Sequence, residues 1–115
     1  RTNTNVSALF SSKEDKIQIR FTGHASINNQ DEYCDERWNK MHPQSKQCYY
    51  QNIKPGAYID HPELVKTEKT DLLSKDFSII TININSIDWL FLSSSGHIRA
   101  EYLRINKFAG KWIAP

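Results

Sequence analysis

Four histidines, two cysteines and a group of carboxylates are the residues of this chain whose types could do chemistry. His24, His42, His61 and His97 are spread along the chain without the short spacing of a metal site, so each reads as a surface or turn residue. Asp31, Glu32, Asp35 and Glu36 crowd around Cys34 and could offer oxygen ligands to a hard cation; the plainer reading is a solvated loop. Two cysteines alone cannot complete a zinc site, which needs four ligands. The chain has no G-x-S-x-G, no glycine-rich phosphate loop and no H-E-x-x-H. Neither catalysis, nor a metal, nor a cofactor is expected.

The even cysteine count fits one disulfide, Cys34 to Cys48, in an exported protein. Closing a loop of about 15 residues would stabilise the fold by roughly 3 kcal/mol on the chain-entropy view. The alternative is two free thiols in a reducing compartment. Asn5-Val6-Ser7 is formally a glycosylation acceptor, which matters only on a eukaryotic secretory route.

The 115 residues are 38% hydrophobic, 11% aromatic and 24% charged, which suits one small globular domain and argues against disorder. Fifteen basic against 13 acidic residues give a net charge of +2, not the clustered excess of a nucleic-acid binder. No apolar run approaches the roughly 20 residues of a membrane-spanning helix. The numbering starts at Arg1 with Met41 as the one methionine, as expected of a chain numbered after processing.

These residues need elements to position them. Ile17-Ile19-Phe21 alternates with Lys16-Gln18-Arg20, the period of a half-buried strand with one wet face. Gly23 and Asn28 to Asp31 mark turns, and residues 31 to 48 read as a strand pair or loop stapled by the disulfide. Asp60-His61-Pro62-Glu63 has capping-box spacing and opens a predicted helix over 61–74, with Leu64, Val65, Leu72 and Leu73 as its apolar positions. Residues 77 to 92 are β-rich, Ser93 to Gly96 form a turn, and His97 to Ile105 return as a strand. The expected fold is a β-rich α+β domain, a small OB-like barrel with one central helix. Its aromatics exceed what so small a core can bury, so some, Tyr33 and Trp38 among the candidates, must be partly exposed. There an aromatic face could stack on a sugar ring or a protein partner.

In the order of its features the chain resembles the B subunits of pertussis-like bacterial AB5 toxins, the typhoid-toxin and subtilase-cytotoxin group. The resemblance rests on Asn5-Val6-Ser7-Ala8-Leu9-Phe10-Ser11, the strand 16 to 21, the Cys34 and Cys48 pair, the helix around Glu63-Leu64, and Ile79 to Ile84 running into Trp89. It departs from that pattern in its acidic cysteine loop and in Glu101 to Pro115, which lacks the final cysteines.

That resemblance implies a secreted or periplasmic, non-catalytic subunit of a pentameric ring whose central helices line a pore, with a separate active subunit as partner. It implies binding of a cell-surface glycan at Phe10 and Ser11, with Ser12 as the one-register alternative and Asp35 and Glu36 nearby. Carboxylates there favour a neutral glycan over a sialylated one. Two other classes compete: a small exported inhibitor or immunity protein acting by protein–protein binding, and a fimbrial or surface-assembly subunit.

Overall fold

Strict alternation decides the larger part of the structure. The computed structural model describes residues 3–115, which divide into two compact units, 3–26 with 81–115, and Ile27–Ile80. Five strands form one antiparallel sheet in chain order: β1 (Asn5–Ser12), β2 (Ile17–Asn29), β3 (Ser78–Phe91), β4 (Ile98–Leu103) and β5 (Gly110–Ile113). The boundary between the two units falls within β2 and β3.

Tight turns set the register in the first unit. Between β1 and β2, Ser12 Oγ donates to Asp15 Oδ2 at 2.9 Å, and Lys16 takes the left-handed conformation at φ 57°. Leu9 therefore faces Arg20 and Phe10 faces Ile19. Leu92 N donates to Lys16 O at 2.7 Å, and the Thr22 and Ser86 hydroxyls meet, which levels the start of β2 with the end of β3. Gly23 lies so close to β3 that a Cβ there would overlap the Asn83 carbonyl. β3 turns into β4 through Gly96 at φ 131°, pairing Trp89 with Ala100 and Leu90 with Arg99. The β4–β5 turn carries Lys107 and Phe108 at φ 56° and 58°. Arg104 holds this turn by donating to Ile84 O at 2.7 Å and Asn83 Oδ1 at 2.8 Å.

The second unit has its own small core. Asp31 caps α1 (Glu32–Asn39) by accepting from Cys34 N at 2.9 Å. Its second oxygen accepts from Asn28 at 2.8 Å, and these two bonds, Asn28 first, hold the carboxyl below its ordinary range. Cys34 and Trp38, four residues apart on one helix face, are sealed from solvent. His42 caps the short α2 (Pro43–Gln47), with Pro43 where a missing N–H costs nothing. Tyr49, Tyr50 and Phe77 stand edge-on around Trp38, with ring centroids 5.5, 6.3 and 5.3 Å away. The indole N–H reaches Asp71 O at 2.9 Å. Lys46, only 8% exposed, lays its ammonium 5.7 Å over the same indole.

Three expectations are corrected here. The β-rich α+β class stands, but the sheet is an open meander from β1 to β5 and does not close into a barrel. The helix over 61–74 shrinks to one 3-10 turn, Pro62–Leu64, with His61 as its cap. Its apolar pairs lie too far apart to make a stripe, leaving Leu64 half-exposed and Leu72 exposed. The segment instead runs extended beside residues 50–52: Thr67 bridges Gln51, and Glu68 N donates to Tyr50 O at 2.9 Å. Finally, no disulfide joins Cys34 to Cys48; both thiols are free. Cys34 points into the Trp38 core, whereas Cys48 is exposed at the end of α2.

Trp38→Ala should therefore cost about 3–5 kcal/mol in denaturant unfolding, the range for emptying a buried aromatic site. Leu72→Ala should stay within about 0.5 kcal/mol of wild type, as an exposed side chain does. Equal losses in the two variants would mean that the core has been misplaced. The thiols give a second check. Burial, followed by its bond with Asp31, pushes the Cys34 thiol up, so alkylation of native protein should label Cys48 and reach Cys34 only on unfolding. Mass spectrometry of the alkylated protein reads this directly, and equal labelling of both would contradict the buried site.

Candidate functional site

The sheet of the first unit sorts its side chains by chemistry. Cross-strand partners share a face. Arg20 on β2, Asp88 on β3, Arg99 and Glu101 on β4 and Lys111 on β5 consequently all project on one side. There a cavity of ≈ 190 Å³ is lined by Leu9, Gln18, Arg20, Asp88, Leu90 and Arg99, together with His97 and Pro115.

Asp88 and Arg99 form the fixed part of this cavity. The guanidinium donates from Nε to both carboxylate oxygens at 3.0 and 3.2 Å, and from Nη2 to Oδ2 at 2.6 Å. Its remaining Nη1 reaches Ala114 O at 3.5 Å. This hydrogen bonding, with the Arg99 and Arg20 charges behind it, holds the Asp88 carboxyl below its ordinary range, and it raises Arg99. Asp88 stands directly opposite Glu101, a like-charge pair that would be unfavourable without the arginine beside it.

Arg20 is the unpaired part. It is exposed on β2, and among the described residues no carboxylate lies within ion-pair distance of it. One guanidinium is thus committed to Asp88, while a second remains available beside the two leucines. Such a cavity suits an anionic group carried on a less polar body.

The residues singled out from the sequence lie elsewhere. Phe10, Ser11 and Ser12 do come together, lining a shallow cavity of ≈ 270 Å³ with Asp15, Ile17 and Ile19. Ser12 is already engaged by Asp15, and Phe10 packs edge-on to Phe21 with centroids 5.6 Å apart. Asp35 and Glu36 belong to the second unit and are exposed on α1, where Glu36 pairs with Lys40 at 3.2 Å. Three histidines occupy turns and caps, His42 and His61 each accepting from a backbone amide at a helical turn and His97 from Ser93 N, while His24 lies on β2 and meets Thr4. Among the described residues no group of three His, Cys, Asp or Glu side chains is placed to hold a metal ion.

No protein-family model and no curated protein matches this chain. Its structure is similar to that of a pyridoxamine 5'-phosphate oxidase-related, FMN-binding protein from Nostoc punctiforme PCC 73102. The TM-score is 0.75 at 12% identity, over 97% of this chain and 63% of the other. The likeness is one of fold. The chain thus spans less than two thirds of that protein's length.

This likeness overturns the toxin-subunit reading. The fold is similar to that of the Nostoc protein, and among the described residues the sheet is open, 61–74 hold one 3-10 turn in place of a helix, and Cys34 and Cys48 are not joined. A glycan site at Phe10, Ser11, Ser12, Asp35 and Glu36 loses its basis with it, and the inhibitor and surface-assembly alternatives gain nothing from the fold. Free thiols also remove the disulfide as an argument for an oxidising compartment. Among the described residues no helix is long and apolar enough to cross a membrane.

The residues that do form the cavity left weak signals. Gln18 and Arg20 occupy the wet face of the alternating segment, and Asp88 is a lone charge inside the β-rich run from 77 to 92. A charge held between Ile87 and Trp89 needs a partner, and only the folded β3–β4 pair, which sets Arg99 diagonally across from Asp88, supplies it.

The ion pair predicts a pH response. A carboxyl whose folded value lies below its ordinary 3.8 contributes stability that is complete above that value and lost as pH falls through the depressed one. Wild type should lose thermal stability on acidification through this range, and Asp88→Asn should lose less. Parallel melting curves for the two proteins against pH would contradict the pair.

Proposed function

We propose that this chain binds FMN or a closely related phosphate-bearing flavin, with the phosphate at Arg20. The observation that carries the reading is the available Arg20 guanidinium at a cavity whose other arginine is already neutralised by Asp88. The fold of an FMN-binding protein supports it.

The cavity fits part of the ligand. Its ≈ 190 Å³ lies below the roughly 300–1,000 Å³ that encloses a drug-sized molecule, so it suits the phosphate and adjoining ribityl carbons. Arg20 supplies charge-assisted hydrogen bonds to phosphate oxygens, and Gln18 adds a neutral donor. Leu9 and Leu90 offer apolar contact to the ribityl carbons next to the phosphate. Arg99, clamped on Asp88, screens the phosphate from that carboxylate. A bound flavin supplies reversible electron and hydride transfer. Binding alone is assigned to these residues, and no reaction.

Titration of the protein into FMN, followed by flavin fluorescence and polarisation, tests it. Arg20→Ala should weaken FMN binding by about 10–100-fold, the worth of a charge-assisted contact. Riboflavin, which lacks the phosphate, should bind wild type and variant alike. No saturable FMN signal with wild type, or equal FMN affinity in Arg20→Ala, would sink the proposal.

A further inference from the structure

We propose that the second unit carries a site of its own, for a small zwitterion of the α-amino acid class. Glu68 and Asp76 hold the ammonium of this ligand, and Lys75 and Ser74 hold its carboxylate. With Tyr49 these side chains line a cavity of ≈ 300 Å³. Every residue concerned belongs to Ile27–Ile80, so the proposal does not depend on the flavin reading.

Two backbone segments build the walls. One is the extended pair of 50–52 with 66–68. Asn52 ties it by accepting from Lys66 N at 2.8 Å and donating to Leu64 O at 3.2 Å, and Glu68 is anchored through its own amide on Tyr50 O. The other is the turn from Ser74 to Phe77. Phe77 N donates to Ser74 O at 3.1 Å and Asp76 N to Ser74 Oγ at 3.2 Å. Asn29 donates to the Lys75 and Phe77 carbonyls at 2.9 and 3.0 Å. The Phe77 ring roots this turn in the Trp38 core, with Tyr49 edge-on to it at 5.6 Å. Both walls are thus fixed through the backbone, which leaves the Glu68, Lys75 and Asp76 side chains available to a ligand.

Two observations point to a ligand that carries both charges. Ser74 is only 4% exposed and its oxygen accepts from Asp76 N, yet its hydroxyl hydrogen meets no acceptor among the described residues. A hydroxyl so buried ordinarily spends its hydrogen on a partner. Around it the cavity gathers one ammonium and two carboxylates, and none of the three forms an ion pair. The ion pairs of the described residues lie elsewhere, at Lys40, His61 and Arg99. Opposite charges that line one cavity without touching leave room for a group that satisfies both. An α-amino acid does so, because its ammonium and carboxylate share one carbon. A simple cation would meet Lys75 unopposed, and a simple anion would face two carboxylates. The volume stands at the lower end of the roughly 300–1,000 Å³ of small-molecule sites, which suits a single amino acid. The half-buried Tyr49 and Tyr50 rings favour an aromatic side chain on it.

Amide chemical-shift mapping with L-phenylalanine tests it. Phenethylamine and hydrocinnamate serve as half-ligands, each keeping the ring and one of the two charges. L-Phenylalanine should give saturable shifts centred on 49–52 and 74–76. Each half-ligand should bind at least about tenfold more weakly, the worth of one charge-assisted contact. Glu68→Gln should weaken L-phenylalanine and phenethylamine by about the same factor and leave hydrocinnamate no weaker. Lys75→Gln should weaken L-phenylalanine and hydrocinnamate and leave phenethylamine no weaker. Both side chains are exposed, so the melting temperature should hold in each variant. No saturable shift with L-phenylalanine, or shifts centred on other segments, would overturn the proposal. So would a half-ligand that binds as tightly as the whole, since the site would then read one charge alone. Variants that weaken all three ligands alike would overturn it too, because that is the mark of a merely structural role.

Discussion

Period-two alternation is the constraint on which most of this structure rests. A one-residue slip of any strand would exchange its charged and aromatic sides. Arg20, Asp88 and Arg99 meet only while Phe21, Trp89 and Ala100 stay on the far face. The turns preserve that register at some conformational cost. Lys16, Lys107 and Phe108 adopt a left-handed backbone that side chains other than glycine rarely take, and Arg104 ties one of these turns to β3. Gly23 serves the same purpose from within a strand, because any side chain would push β2 off β3.

The two units solve the burial problem differently. The helical unit builds a closed cluster around a single indole, with Cys34 and Phe77 against it and Lys46 as a lid whose aliphatic stem and charge both find a use. The sheet unit has no comparable centre and leaves large rings at the surface.

Electrostatics at the cavity depends on geometry more than on net charge. Asp88 and Arg99 hold each other in a bidentate pair, leaving Arg20 as the charge able to respond to a ligand. Removing Asp88 would release a second guanidinium but leave Glu101 and Arg99 to rearrange. The pair is therefore better understood as fixing the shape of the cavity than as part of its affinity.

The sequence by itself determined the β-rich class, the strands at 17–21 and 80–84, the turn at Ser93 to Gly96, and an aromatic content too large for the core, because these depend on period and composition. Local signals went astray where tertiary context outweighed them. The capping spacing at Asp60 to Glu63 is real, but the residues after it lack a continuous apolar stripe, so only one turn forms and the rest pairs with residues 50–52. The true helix was also signalled, by Asp31 as a cap and Cys34 and Trp38 four residues apart, and a disulfide reading of the cysteines concealed it. The candidate site was decided by tertiary structure alone. Arg20, Asp88 and Arg99 come from three strands, and which charge neutralises which depends on strand order and register, long-range quantities that no local pattern of residues carries.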